Sequence, residues 1–239
     1  LYTVRSLMED DFSGTLRAVA DVGYDEVEFA GYFDHEPREV RDLLAGLGLD
    51  APAAHISLEA LREDLSGVIA HARAVGHRFV VCPWLDPAER DSIASYRKVA
   101  AELSDFGKAC RDSGLRFGWH NHDFELQPID GTVPLKVLLE ETEPELVEFE
   151  LDLYWVRKGG ADPFAYFEQY PGRFTLTHVK DMGADGEETD VGAGTTDFRE
   201  IFARTEQAGF EHHFVELDNP TDPMASITAS HEYLATLTA

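Results

Sequence analysis

An eight-fold (β/α) barrel is the fold class this sequence predicts, on three observations. Short β-rich runs alternate with longer segments of helical spacing along the chain. Glycines stand where the helices should stop. Six of the eight strand candidates turn polar late in their length, where a parallel strand buried on both faces should stay apolar. Eight such units in 239 residues match the usual size of this barrel, about 250 residues. An open doubly wound sheet is the competing architecture. The chain is read as one domain, residues 1–239, near the size at which a single core stops growing.

In chain order the strand candidates are Leu1–Arg5, Asp25–Gly31, Leu49–Ser57, Phe79–Trp84, Arg116–His122, Val147–Val156, Phe174–Met182 and His212–Asn219. Helical segments fall between them and after the last. Asp91–Ser113 carries Ile93, Tyr96, Ala100, Leu103, Phe106 and Cys110 at three- and four-residue steps, the apolar stripe of a helix lying on a sheet, and Gly114 stops it. Gly23, Gly48, Gly76 and Gly209 mark further stops, each shortly before a strand.

Composition excludes several functions. Twenty Lys and Arg against 46 Asp and Glu leave a net charge of −26, which repels a phosphate backbone and an anionic membrane surface. With 44% hydrophobic residues and no low-complexity tract, the chain is globular. Cys82 and Cys110 lie 28 positions apart without a CxxC, so neither a disulfide scaffold nor a zinc ribbon is expected. The longest apolar run, Phe79–Leu85, holds seven residues and a proline, far short of the ~20 that cross a bilayer. No basic leader precedes it, and a cytoplasmic location is the expectation.

The strand ends carry the chemistry. In Val147–Val156, Val147, Phe149, Leu151 and Leu153 share one face, while Glu148, Glu150, Asp152 and Tyr154 share the other. Phe174–Met182 groups Leu176, His178 and Lys180, and His212–Asn219 groups Phe214, Glu216 and Asp218. His120 and His122 end the fifth strand, His55 sits late in the third and Glu28 late in the second. Unpartnered buried charges cost several kcal/mol, so a divalent metal ion at the mouth is the economical compensation. Side chains from different strands converge there, and His120, Asp152, His178 and Glu216 can reach one ion. Mixed nitrogen and oxygen donors suit Mn²⁺, Co²⁺, Fe²⁺ or Zn²⁺ better than Ca²⁺. The competing reading of Asp152, His178 and Glu216 is a structural ion-pair network. Glu28 can equally pair with an arginine, and Asp123, Glu125 and Asp218 can be ordinary loop or cap residues. Gly192-Ala193-Gly194 lacks the context of a dinucleotide fingerprint and reads as a flexible loop. No GxSxG elbow is present.

The segments LYTVRSL, GYDEVEFAGY, WHNHDFEL, ELDLYWVRKGGADP, THVKD, VGAGTTDF and FVELD resemble, in order and through almost the whole chain, the sugar phosphate isomerase/epimerase family of xylose isomerase-like TIM barrels. The resemblance implies a small-molecule sugar substrate and one divalent ion, Mn, Co, Mg or Zn; the net charge excludes a nucleic-acid or membrane partner, and a homo-oligomer stays an option. In ketose epimerases that ion is held by Glu, Asp, His and Glu from the last four strands, which places Asp152, His178 and Glu216 on three of the positions. At the fourth this chain reads His120-Asn121-His122, so Asn121 and His122 match and His120 replaces the Glu. Glu125 and Glu150 are candidates to substitute for it.

The expected activity is a metal-dependent isomerase or epimerase acting on a ketose or keto-sugar. The ion polarises a carbonyl and its neighbouring hydroxyl, Glu216 abstracts the adjacent C–H proton, and Lys180 stabilises the enediolate. His122 and His55 bind hydroxyls or move protons, and Trp155 walls off the ring face. Glu28, Asn121 and Glu125 complete the substrate pocket. The missing carboxylate keeps two alternatives open: a dehydratase or keto-glycoside-cleaving lyase, and a non-catalytic sugar-binding barrel. An abasic-site endonuclease shares the superfamily fold, but its basic DNA face is absent here.

Overall fold

The computed structural model describes residues 1–237. Its strands are β1 (Glu26–Phe29), β2 (Asp50–His55), β3 (Phe79–Cys82), β4 (Arg116–His120), β5 (Glu148–Asp152), β6 (Phe174–Val179), β7 (Asp181–Met182), β8 (Glu188–Thr189) and β9 (His212–Val215). Its helices are α1 (Arg5–Asp10), α2 (Phe12–Val22), α3 (Pro37–Leu47), α4 (Leu58–Val75), α5 (Ile93–Asp112), α6 (Pro134–Glu141), α7 (Leu153–Lys158), α8 (Pro163–Gln169), α9 (Phe198–Ala203), α10 (Thr205–Ala208) and α11 (Pro223–Ala235). Among the described residues, seven strands pair in parallel in the order β1-β2-β3-β4-β5-β6-β9, with helices alternating between them. This is a nearly closed TIM barrel. β7 and β8 form a separate antiparallel hairpin.

The first expected strand is absent. Tyr2–Val4 is a 3-10 turn that runs into α1; Val4 N–H bonds back to Leu1 O, which closes a turn instead of offering the amide to a neighbouring strand. The segment still lies across the seam between β1 and β9: Leu1 N donates to Glu28 O at 2.8 Å, and Leu217 N donates to Thr3 Oγ1 at 3.0 Å.

The remaining strands fall where expected but are shorter. The sixth expected strand ends at Asp152, because that residue caps the next helix: its Oδ1 accepts from Trp155 N at 2.8 Å, satisfying an otherwise orphaned amide. Asp11, Ser57, Ser92, Asp197 and Asp222 cap α2, α4, α5, α9 and α11 in the same way. The helices expected to stop at Gly23, Gly48, Gly76 and Gly209 do so, each with that glycine in the left-handed region. α5 buries Tyr96, Ala100, Leu103, Phe106 and Cys110 of the expected stripe.

Ala53, Phe79, Val81, Leu176 and Phe214 pack together as an apolar cluster contributed by barrel strands. Further along stand His55 and His178 on β2 and β6, and Glu216 just past the end of β9. The Gly192–Gly194 loop, expected to be flexible, is organised around one carboxylate. Asp181 accepts from Gly192 N, Gly194 N and Thr196 N, each at 3.0 Å. A Cβ at Gly194 would lie 2.4 Å from Asp181 Oδ1, and Gly192 has φ +92° against the Tyr233 ring, so both positions call for glycine. No helix of the described residues is long and apolar enough to cross a membrane.

Candidate active site

Strand register places the ionisable side chains in two tiers. Asp152 is level with His178 across β5 and β6, and His178 is level with Phe214 across β6 and β9, so that Glu216 follows just beyond. One step earlier on β5, Glu150 is level with His120 on β4. Because inward residues alternate along a strand, Glu150 and Asp152 point the same way at different heights.

In the upper tier, His178 Nδ1 lies 3.2 Å from Glu216 Oε1 and 3.7 Å from Asp152 Oδ2. Lys180 Nζ lies 3.0 Å from Glu216 Oε1, 3.4 Å from Asp152 Oδ2 and 2.6 Å from Asp218 Oδ1. Asp152 Oδ2 and His178 Nδ1 are buried and complete no hydrogen bond. Two orphaned donor atoms beside a third make the set fit a cation: Asp152, His178 and Glu216 offer atoms all within 4.8 Å of one another. Asn121 Oδ1 holds Asp152 in place by accepting from its backbone N at 3.1 Å.

In the lower tier, Glu150 Oε2 lies 2.6 Å from His55 Nε2, 3.1 Å from His120 Nδ1 and 3.2 Å from His178 Nε2. Glu28 Oε2 lies 2.8 Å from His178 Nε2 and 3.1 Å from His55 Nε2. His55, His120, Glu150 and His178 form a second group whose ligand atoms lie within 4.8 Å.

Electrostatics divides these groups by role. Burial opposes ionisation of Glu216, yet His178 and Lys180 hold its carboxyl well below the usual carboxylate range. Burial likewise opposes the Lys180 ammonium, but Asp152, Glu216 and Asp218 hold it well above its ordinary value. A charged carboxylate and a charged ammonium therefore stand side by side. Burial raises Asp152 to about 6 against the pull of Lys180. It lowers His120 to about 3, helped by the charge on His178, and it lowers His122 strongly, so both rings are neutral at pH 7.

A cavity of about 340 Å³ opens over this cluster, lined by His55, Trp84, His120, His122, Lys180 and Glu216 among others. Trp84 is 44% exposed and meets His122 edge-on at 4.9 Å. Asp218 also borders a second cavity of about 710 Å³, where Trp155, Tyr154 and Glu188 stand. Lys180 Nζ lies 5.4 Å from the Trp155 ring centroid, between the two spaces.

The family model described as xylose isomerase-like TIM barrel matches residues 16–237. The chain belongs to this family. Two curated relatives of the chain are inosose dehydratases. That of Geobacillus kaustophilus (strain HTA426) is 23% identical over 229 residues, 79% of this chain and 74% of the relative. Inosose dehydratase 2 of Bacillus cereus is 28% identical over 87 residues, 36% of this chain, and the match spans 28% of that relative's length. Among solved structures, a sugar phosphate isomerase/epimerase from Parabacteroides distasonis ATCC 8503 superposes with a TM-score of 0.85 at 22% identity, covering 98% of this chain and 95% of that one.

Within this xylose isomerase-like barrel the expected residues separate by position. Asp152, His178 and Glu216 come together, with Lys180 against them. His120 stands in the other tier, its Nδ1 on Glu150. His55 and His122 line the mouth, and Trp155 borders Lys180. Glu28 pairs with His178 and His55, not with an arginine. Glu125 is withdrawn from the mouth: it is fully buried, Oε1 accepts from Trp119 Nε1 at 3.2 Å and Oε2 from His122 N at 2.8 Å, so it fixes the His122 backbone from behind. Two residues were unplaced or unnoticed in the sequence. Glu150 is the hub of the lower tier, signalled only by sharing a strand face with Asp152. Glu188 of β8 lies 3.5 Å from Lys180, Oε1 without a hydrogen bond, and burial raises its carboxyl to about 7. No local pattern marks it.

Proposed function

We propose that the protein is a metal-dependent sugar isomerase or epimerase that acts on a ketose or keto-sugar through an enediolate. The observation carrying this reading is the ionised Glu216 carboxylate 3.0 Å from the Lys180 ammonium at the base of the mouth cavity, a base beside an electrophile. Asp152, His178 and Glu216 would hold a divalent ion, which when bound polarises a carbonyl and its neighbouring hydroxyl and lowers the pKa of the adjacent C–H. Glu216 takes that proton through the carboxylate oxygen that does not face His178, and Lys180 donates hydrogen bonds to the oxygen on which charge develops. Neutral His122 and the mouth-lining His55 bind hydroxyls, Trp84 and Trp155 cover the flat faces of the sugar, and Asn121 keeps Asp152 aligned.

A second reading, a dehydratase or keto-glycoside-cleaving lyase, has its own support. Epimerisation needs a second proton-transfer group on the opposite face of the sugar, and Glu150 is occupied by His55 and His120. Glu188, half protonated near pH 7, is a suitable acid: after Glu216 removes the C–H proton, the enolate expels the β-oxygen substituent, which takes its proton from Glu188 and leaves an enone. The inosose dehydratase names of the curated relatives agree with this outcome.

Incubation of the metal-loaded protein with ketoses and keto-glycosides in D₂O separates the readings. The first expects deuterium at a carbon position without an enone chromophore; the second expects the chromophore or a released aglycone. Glu216→Gln should slow either process by about 10²–10⁴-fold. No exchange and no elimination from any candidate would overturn both.

A further inference from the structure

We propose that the barrel holds a second divalent-cation seat below the first, built by His55 Nε2, His120 Nδ1 and Glu150 Oε2. The geometry is close to that of a ligand shell, with all the donor atoms within 4.8 Å of one another. Metal bonds of about 2.0–2.2 Å at tetrahedral or octahedral angles hold neighbouring donor atoms roughly 3.0–3.5 Å apart. Glu150 Oε2 lies 3.1 Å from His120 Nδ1, within that range, and 2.6 Å from His55 Nε2, a hydrogen-bond distance that opens by a few tenths of an ångström to admit an ion. Two imidazoles and a carboxylate are the donor set of Zn²⁺ or Co²⁺. His55 and His120 both line the mouth cavity, which supplies an entry path.

The His178 ring keeps the two seats distinct. Its Nδ1 faces Asp152 and Glu216, and its Nε2 lies 2.8 Å from Glu28 Oε2. A neutral imidazole that ligates through Nδ1 carries its proton on Nε2, and here that proton has a carboxylate to meet, the arrangement that fixes a metal-ligating histidine. His178 and Glu28 are thereby assigned to the upper seat, leaving His55, His120 and Glu150 for the lower one. This moves His120 from the upper ion, where the sequence placed it. Charge points the same way. Glu28 and Glu150 are buried, and their ion-pair partners are histidines; Lys180, the ammonium of the mouth, pairs with Asp152, Glu188, Glu216 and Asp218 instead. The positive charge facing these two carboxylates comes from imidazole rings alone, which lose it on deprotonation, and a divalent ion between His55, His120 and Glu150 supplies it instead.

The test is metal content. The full chain is stripped with a chelator, reloaded with Zn²⁺ or Co²⁺, dialysed and assayed for metal per chain, with circular dichroism to confirm folding. About two equivalents are expected in the wild type, falling to one in Glu150→Gln and to the other one in Asp152→Asn. Anomalous scattering from Zn²⁺ in wild-type crystals gives the same answer without a variant: two peaks flanking the His178 ring. One equivalent that is lost in Asp152→Asn and kept in Glu150→Gln, or one peak beside Asp152, overturns the lower seat and leaves the upper one. One equivalent lost in Glu150→Gln and kept in Asp152→Asn supports the lower seat and overturns the upper. No bound metal, with the lower tier closed by ring protons alone, overturns both.

Discussion

The two ends of the barrel handle charge in opposite ways. At the N-terminal end of the strands, acids meet guanidinium groups: Arg78 Nη1 reaches Asp50 at 2.8 Å, and Arg116 bridges Glu148 at 2.7 Å through Nε and Glu211 at 3.0 Å through Nη2. At the C-terminal end, four buried carboxylates, Glu28, Glu150, Asp152 and Glu216, face histidines and one lysine. The first arrangement is complete without a ligand. The second is short of positive charge, and a fold gains nothing from burying acids in that state. In this barrel architecture the C-terminal end carries reactions and the N-terminal end carries stability, and the charge pattern separates them.

The largest effect should come from removing the one ammonium at the deficient end. Lys180→Met keeps the length of the side chain but leaves Asp152, Glu216 and Asp218 without their shared cation. Breaking a buried pair in this way costs about 3–5 kcal/mol. Urea unfolding in chelator should show that loss, and added Zn²⁺ or Co²⁺ should recover much of it by binding the native state. A variant as stable as wild type in chelator would mean that the mouth carboxylates are already neutralised, and the contrast between the two ends would fall.

The shortage extends behind the mouth to Glu125. Its burial raises the carboxyl to about 8, although His122 N and Trp119 Nε1 donate to it. In the unfolded chain the same group titrates near 4.3. Between these values the native state holds a proton that the unfolded state has released, so unfolding free energy falls as pH rises through the window. Wild-type melting temperature should therefore drop by several degrees between pH 5 and pH 8.5, and Glu125→Gln should flatten that slope. An unchanged slope in the variant would place the pH dependence elsewhere.

Much of this contrast was legible in the sequence. The two-residue period of a strand assigns Glu150, Asp152, His178, Lys180 and Glu216 to inward faces, and the barrel plan brings their ends together. Period gives the face and not the height. Whether His120 stands level with Asp152 or with Glu150 depends on the stagger between β4 and β5, a property of pairing across the sheet that no local pattern records. Glu188 was hidden for a related reason. The stretch around it has loop composition, and what organises it is Asp181 collecting three amides from 11 to 15 residues away in sequence. Leu1–Arg5 misled because β-rich composition is a weak guide at the start of a helix, where tertiary context overrides it.

The smallest effect belongs to the balanced end, and salt sharpens it. Arg116 has a side chain 38% exposed, and its partners Glu211 and Glu148 are 48% and 19% exposed, so solvent screens much of the attraction and each such pair contributes about 1 kcal/mol or less. The guanidinium also lies over the Phe79 ring, 4.3 Å from its centroid, a contact that an apolar side chain partly keeps. Arg116→Met, which removes both pairs, should therefore cost no more than about 2 kcal/mol in urea unfolding at low ionic strength. At 1 M NaCl, where the screening length shrinks to about 3 Å, that difference should nearly vanish. The loss in Lys180→Met, between groups that are mostly buried and so less screened, should largely persist at the same salt concentration. If the two variants lost stability equally, or if salt erased both losses, the two ends of the barrel would be electrostatically alike.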